Sequence, residues 1–256
     1  MSTKRKAKIN QLLADIPKGV VLLSSWLKEK GYSLDLLKRY RQSQWLGSIG
    51  RGAMMRSGDQ IDYYGALYAL QEQADLKIHI GGRTALSLIG QAQYLELSSK
   101  QAILFGASGE KLPLWFCNYD WQVEIKYYST SIFPPAIGLV NVQIKEFSVK
   151  VSGAARAMME CLYLTPENQE ISECYELMES MNNLRPQLVQ ELLEKCSSIK
   201  VKRLFLYLAE RMGHEWFNYL DIQKIKLGKG KRSIIKNGVY DAKYQITIPH
   251  DWKRHE

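Results

Sequence analysis

The strongest constraint on the fold of this chain lies in its first sixty residues, where two short amphipathic segments flank a glycine. The first segment, residues 24–30, begins with a serine pair that can cap a helix, and Trp26 and Leu27 lie on its expected inner side. Gly31 follows, and glycine readily adopts the left-handed backbone that ends a helix. Two helices joined by a short glycine-containing turn are typical of a helix-turn-helix.

The second helix of the pair is predicted over residues 33–43, with Ser33 as its N-cap. Leu34, Leu37 and Tyr40 recur at three-residue steps and form its expected buried stripe. The segment that follows resembles a short hairpin whose tip is Gly50-Arg51-Gly52, where glycine supplies the positive φ of a tight turn. A helix-turn-helix followed at once by such a hairpin indicates a winged helix.

Positive charge is concentrated at the two ends of the chain. Residues 1–58 contain twelve Lys or Arg and three Asp or Glu, a net charge of +9. Residues 59–199 carry a net charge of −7, and residues 200–256 carry +7. Basic surfaces of this density attract nucleic-acid phosphates through the release of counterions. Both ends are therefore candidate nucleic-acid surfaces, and a plain solvated surface is the alternative.

The motif and the charge together predict a DNA-binding head. A recognition helix of this type enters the major groove, where Lys, Arg and Gln pair with base edges. The wing arginine is expected on a phosphate or in the minor groove. A winged helix used for protein contact is the alternative, which the charge of the head disfavours. The residues predicted to contact double-stranded DNA are Lys28, Ser33, Lys38, Arg39, Arg41, Gln42, Arg51 and Arg56.

The rest of the chain mixes strand-like and helix-like patterns, which predicts an α+β protein. We expect a winged helix-turn-helix domain at residues 1–93 and a mixed α/β domain at residues 94–256. Gly81-Gly82 is interpreted as a turn that opens a helix, because a phosphate loop would need a Walker lysine. Further helices are predicted at 4–14, 59–74, 152–163 with Ser152 as cap, 171–182, 186–195 and 201–212. Strands are predicted at 77–80, 101–106, 112–117, 121–128 and 142–147, with a strand pair inside 222–249 turning at Asn237-Gly238.

No catalytic or metal-binding arrangement is evident in the sequence. Cys117, Cys161, Cys174 and Cys196 lack the short spacing of zinc or redox motifs, so reduced and mostly buried thiols are expected. No nucleophile elbow or paired carboxylates with a base are found. We therefore expect a protein without enzymatic activity, metal or cofactor. No apolar run is long enough to cross a membrane and no secretory signal follows the basic N-terminus, so a cytoplasmic location is expected.

A second basic cluster is predicted in the C-terminal part. Lys229, Lys231 and Arg232 lie on a glycine-spaced segment, and Lys202 and Arg203 lie upstream. Together they are predicted to form a basic surface that meets phosphates. The sequence leaves open whether its partner is DNA, RNA or an acidic protein surface.

Nearly the whole chain resembles the AbiEi family of antitoxins from bacterial type IV toxin–antitoxin systems, which act in abortive infection, a phage defence. The resemblance rests on the winged helix and on several short motifs in the remaining sequence. These motifs are GGRTAL at 81–86, the segment 152–162 around Arg156, LRP at 184–186, the segment 201–210, LGKGKR at 227–232 and YQITIP at 244–249.

The resemblance implies a two-domain antitoxin that is also a transcriptional autorepressor. Its N-terminal domain would bind inverted repeats in its own promoter. Its C-terminal domain would counteract a cognate nucleotidyltransferase-like toxin without a stable complex, and the basic C-terminal surface is the candidate for that action. The alternative is a DNA-binding regulator whose C-terminal domain is an interaction module, or an enzyme acting on the toxin or its RNA substrate. Because no heptad or other dimerisation stripe is present, a monomer in solution is expected to occupy each half-site.

Overall fold

The structure, a computed structural model, describes residues 2–90 and 100–252, and side chains from residue 8 onward. Its N-terminal part combines helices with a small antiparallel sheet of strand order β1-β3-β2. The elements are α1 (Ser2–Asp15), β1 (Leu22–Leu23), α2 (Ser24–Glu29), α3 (Leu34–Gln42), β2 (Leu46–Gly50) and β3 (Ala53–Arg56). The predicted winged helix is confirmed.

Local sequence explains both the helix-turn-helix and the wing. Ser33 caps α3 as predicted, because its hydroxyl accepts a hydrogen bond from Leu36 N at 3.3 Å. Gly52 at the tip of the wing has a φ of 83°, which favours glycine. The prediction that a serine caps α2 is wrong: Leu23 occupies the cap position and makes no side-chain cap bond. Ser24 N instead donates to Gly52 O at 2.9 Å, which ties the start of α2 to the wing.

A short helix follows the wing and packs closely against the loop before β1. Helix α4 (Tyr63–Tyr68) continues as a π-helical turn, Ala69–Gln73, in place of the single helix predicted over 59–74. Gly65 of α4 lies directly against the backbone of Gly19, where an added Cβ would be 1.8 Å from the carbonyl oxygen. Only glycine permits this approach.

Two glutamines of this helical segment connect the small sheet to the rest of the protein. The Gln73 amide donates to Val21 O at 2.7 Å and accepts from Leu23 N at 2.8 Å, so it covers the edge of β1. The Gln71 amide donates to Lys150 O at 3.0 Å and accepts from Lys150 N at 2.8 Å. Gln71 is buried, so both bonds are shielded from water.

A larger mixed sheet with strand order β6-β5-β4-β8-β7 follows. Its strands and flanking helices are β4 (Ile78–Ile80), α5 (Gly82–Leu88), β5 (Gln101–Ala107), α6 (Leu114–Asn118), β6 (Glu124–Thr130), β7 (Leu139–Ile144) and β8 (Phe147–Ser152). The predicted domain boundary between residues 93 and 94 lies outside the described residues. Strand β4, which precedes that boundary, pairs with β5 and β8, which follow it.

The C-terminal half is mainly helical. Its elements are α7 (Ala154–Leu164), α8 (Ile171–Glu179), α9 (Pro186–Lys195), α10 (Ile199–Met212), β9 (Val239–Asp241) and β10 (Ile246–Ile248). Helix α7 is buried along nearly its whole length and packs against α5, α8, α9 and α10. No helix in the described ranges is both long enough and apolar enough to cross a membrane.

The segment predicted as a strand at 112–117 forms a helix instead. Helix α6 begins after Pro113 and buries the neighbouring residues Trp115 and Phe116. Both rings pack into one aromatic cluster with Trp121. Successive side chains of a strand point to opposite faces, so a strand would separate the two rings.

Three smaller predictions also need correction. The strand predicted at 142–147 is interrupted by a turn at Lys145, whose φ is 52°, and β7 and β8 pair across it. Gly153 occupies the cap position of α7, while the Ser152 hydroxyl donates to a buried carboxylate instead. Asn237-Gly238 precedes β9, so the reversal between β9 and β10 is made by residues 242–245.

Candidate nucleic-acid interface

Helix α3 presents a basic outer face. Leu37 and Tyr40 are buried against the core of the winged helix as predicted. The prediction that Leu34 belongs to this buried stripe is wrong, because Leu34 is 61% exposed at the first turn of α3. Lys38, Arg39 and Arg41 are exposed on the remaining faces. The alternation follows from the helical period, which brings residues three or four apart to the same side.

The outer face of α3 and the wing enclose a groove. Two adjoining hollows share Lys38 and Arg41 from α3 and Ser48 from β2. One hollow extends to Gln42 at the end of α3, and the other extends to Arg51 at the tip of the wing. Hydrogen-bond donors from two separate elements therefore face one open space.

The cations of α3 and of the wing tip are available to a ligand. Lys38, Arg39, Arg41 and Arg51 form no ion pair with another residue in the described part of the chain. Asp35 is the acidic residue among those that line the groove. Uncompensated cations on a helix and an adjacent hairpin suit both the phosphates and the base edges of DNA.

Four predicted contact residues do not line the groove, namely Lys28, Ser33, Arg39 and Arg56. Ser33 caps α3, and Arg39 is exposed on α3. Arg56 Nη2 donates to Ile16 O at 3.0 Å and to Leu13 O, both near the end of α1. Arg56 therefore holds α1 against the wing, and its place in the DNA-contacting set stays a prediction. Lys28 is exposed on α2 and is not among the residues that line the groove.

The wing is positioned by a contact that the sequence did not suggest. Helix α6 packs on β2, and a Cβ at Gly50 would lie 2.9 Å from Trp115 Cβ. Trp115 is buried, so it forms a rigid support behind the wing. Gly50 and Trp115 are far apart in sequence, and no local sequence pattern predicts their contact.

The predicted C-terminal surface is only partly a surface. Lys229, Lys231 and Arg232 are exposed. Lys202 and Arg203 are buried, with exposed fractions of 3% and 2%. The prediction that these two side chains contribute to an exposed basic surface is wrong, because both donate to backbone carbonyls of residues 226–230.

A buried ionic cluster lies between the large sheet and α7, and the sequence analysis missed it. Glu160 Oε1 lies 3.0 Å from His79 Nε2 and accepts from Arg156 Nε at 2.9 Å. Its other oxygen accepts from Gly82 N at 3.0 Å and from the Ser152 hydroxyl at 2.8 Å. An Arg–Glu pair four residues apart inside an apolar helix was the available signal.

The cluster holds Glu160 in its ionised form. Burial raises the pKa of Glu160, but His79 and Arg156 offset this, and the net result is a pKa below the ordinary value. Arg156 also donates to Ile137 O at 2.6 Å, so its charge is shared with the loop before β7. The cluster joins motif segments 81–86 and 152–162, which are remote in sequence.

The cysteines are free and, apart from the exposed Cys117, buried. Burial raises the pKa of the Cys174 thiol and raises that of Cys196 to about 11. The described residues include no group of three or more His, Cys, Asp or Glu side chains placed to hold a metal ion.

Two family models match the chain. A model described as "Transcriptional regulator, AbiEi antitoxin N-terminal domain" matches residues 5–97, and one described as "Transcriptional regulator, AbiEi antitoxin, Type IV TA system" matches residues 99–249. The chain belongs to the AbiEi antitoxin family. The resemblance drawn from its motifs is thus confirmed, and this AbiEi protein is a transcriptional regulator and antitoxin of the type IV class.

A solved structure shares the fold of this AbiEi protein. The crystal structure of the RV2827C protein from Mycobacterium tuberculosis has a TM-score of 0.61 and 14% sequence identity, covering 96% of this chain and 91% of that chain. This likeness supports the α+β architecture and nothing finer. No curated protein matches the chain.

Proposed function

We propose that this AbiEi antitoxin represses its own operon by binding inverted repeats in its promoter. The groove between α3 and the wing carries the proposal, because Lys38, Arg41 and Arg51 line it and none of them is paired with an acid among the described residues. Ser33 fixes the start of α3, and Trp115 supports the wing from behind. A recognition helix and a wing held at a fixed distance suit neighbouring grooves of double-stranded DNA.

Alanine at Lys38, Arg39 or Arg41 should weaken binding to the protein's own promoter. We expect a loss of about 1–3 kcal/mol for each residue that reads a base. Fluorescence anisotropy with a labelled promoter fragment and a scrambled fragment measures this loss. If the residue reads a base, its alanine variant loses affinity mainly for the promoter fragment. If the residue contacts a phosphate, the variant loses affinity for the promoter and the scrambled fragment alike.

The matched control for these variants is Lys195→Ala. Lys195 is an exposed lysine in the last turn of α9, and it forms no ion pair with a described residue. This control should bind like the wild type. Wild-type affinity in all three α3 variants would contradict the assignment of α3 as the recognition helix.

The proposal extends to the toxin and to the oligomeric state. The toxin is nucleotidyltransferase-like and is counteracted without a stable complex, and the antitoxin is a monomer that occupies each half-site. Type IV membership supports the first point, and the absence of a dimerisation stripe in the sequence supports the second. Size-exclusion chromatography with light scattering should give the monomer mass of 29.5 kDa, unchanged when the toxin is added. A dimer without DNA, or co-elution with the toxin, would contradict these points.

A further inference from the structure

A loop near the C-terminus is held from inside by a buried arginine. Residues 226–232 are called the basic loop here. Arg203 donates to Leu227 O at 2.8 Å, to Gly230 O at 2.7 Å and to Gly228 O at 3.2 Å. All of these acceptors are peptide carbonyls, and within the described ranges no carboxylate pairs with Arg203. The guanidinium therefore shapes the loop while its charge stays unneutralised.

A second buried cation completes this support. Lys202 Nζ donates to Lys226 O at 3.2 Å. The carbonyl oxygens of residues 226, 227, 228 and 230 are thus engaged on the inner side of the basic loop. The outer side is formed by exposed cationic side chains, which are Lys226, Lys229, Lys231 and Arg232.

Two acids on α10 and β9, the elements that contact the basic loop through Arg203 and Tyr240, already accept hydrogen bonds from other residues. Glu210 accepts from Lys243 and from the Tyr244 hydroxyl. Asp241 accepts from Tyr244 N at 2.7 Å. No cation of the basic loop forms an ion pair with a described residue. Burial lowers the pKa of Arg203, and the nearby Arg232 lowers it further, so the exposed and buried charges lie close together. An anionic ligand would relieve this repulsion.

An exposed aromatic ring lies on the same surface. Tyr240 is 44% exposed, and Lys231 Nζ lies 5.0 Å from the centre of its ring. A double helix keeps its bases stacked inside, so it offers phosphates to the cations but no open base face to the tyrosine ring. A single strand offers both phosphates for cations and bases for stacking.

We propose that the basic loop and Tyr240 bind a single-stranded segment of nucleic acid. The cations of the loop contact its phosphates, and Tyr240 stacks on a base. This site is separate from the groove of α3 and does not depend on operator binding. RNA and DNA share the phosphodiester chemistry that the loop recognises, and the test below distinguishes them.

The test uses the full chain with the α3 groove silenced by Lys38→Gln, Arg41→Gln and Arg51→Gln. Anisotropy with fluorescent oligouridylate, oligothymidylate and an unrelated duplex, each about twelve nucleotides long, measures binding at several salt concentrations. The loop variant adds Lys229→Gln, Lys231→Gln and Arg232→Gln. Its matched control adds Lys77→Gln, Lys126→Gln and Lys224→Gln, which removes the same charge from lysines that pair with acids.

The silenced parent should bind single strands more tightly than the duplex. The loop variant should lose affinity by at least about tenfold, with the salt slope reduced by about 2, because each phosphate contact in a single strand contributes about 0.7. Tyr240→Leu should cost about tenfold while Tyr240→Phe binds like the parent, since only the ring is needed for stacking. Binding of either single strand more tightly than the duplex supports the proposal, and the order of the uridylate and the thymidylate shows which strand the loop prefers.

Three results would overturn the proposal. They are equal affinity of the loop variant and its charge-matched control, an unchanged affinity in Tyr240→Leu, and a duplex bound as tightly as the single strands. Circular dichroism of each variant verifies that the chain is folded, and the loop cations are exposed, so their replacement leaves the core intact.

Discussion

Replacing Glu160 by glutamine should lower the free energy of unfolding by about 3–5 kcal/mol, a large share of the total for a protein of this size. The two carboxylate oxygens face His79, Arg156, Gly82 N and the Ser152 hydroxyl. Glutamine has the same shape but presents an amide N–H₂ group to donors. It therefore loses acceptor sites and leaves the Arg156 guanidinium buried without a counter-charge.

Denaturant unfolding followed by tryptophan fluorescence measures this loss. Glu179→Gln is the matched control, because Glu179 is an exposed acid at the end of α8 and its replacement should change stability by less than about 0.5 kcal/mol. A double-mutant cycle with Arg156→Met isolates the pairwise term. A free energy of unfolding for Glu160→Gln within about 1 kcal/mol of the wild-type value would show that the cluster does not depend on the charge of Glu160.

The same carboxylate makes stability depend on acid pH. Because the folded pKa of Glu160 lies below its unfolded value, its contribution is complete above the unfolded pKa of about 4.3 and is lost as pH falls through the folded pKa. The stability of the wild type should therefore fall more steeply below about pH 4.3 than that of Glu160→Gln. Parallel curves for the two proteins would exclude Glu160 as the titrating group.

The winged helix was predictable because short-range rules specify it. Each of its features is determined by residues close together in sequence. These features are the cap at Ser33, the left-handed backbone at Gly52 and the three-residue spacing of Leu37 and Tyr40. Exposure of Lys38 and Arg41 followed from the same helical period. Local propensity, pattern and turn chemistry agree in this segment, which is the condition for reading a structure from sequence.

The parts that were mispredicted depend on contacts between distant segments. Lys202 and Arg203 are buried because the loop at 226–230 supplies carbonyls to them. Gly50 faces Trp115, and the sequence around either residue does not predict this contact. The charge of a side chain predicts that it is exposed to solvent. Only the fold shows which cationic side chains have hydrogen-bond acceptors in the interior.

Alanine at Gly65 should destabilise the protein by about 3 kcal/mol or more, at or beyond the upper end of the usual cost of overpacking. The added Cβ would lie 1.8 Å from Gly19 O, 2.9 Å from Gly19 C and 3.1 Å from Val20 Cα. All three atoms are backbone, so no side chain can turn away. Relief requires α4 to move from the loop before β1, which also breaks the bond from Val21 N to Gly65 O.

Thermal and denaturant unfolding measure the effect, with Gly47→Ala as control, since a Cβ there meets only the flexible Met55 side chain at 3.4 Å. Because the segment after α4 holds the edge of β1 through Gln73 and strand β8 through Gln71, a displaced α4 disturbs both sheets. Gly65→Ala should therefore weaken promoter binding although Gly65 does not line the groove. A variant with wild-type stability and wild-type promoter affinity would show that the close approach of α4 to Gly19 is not required.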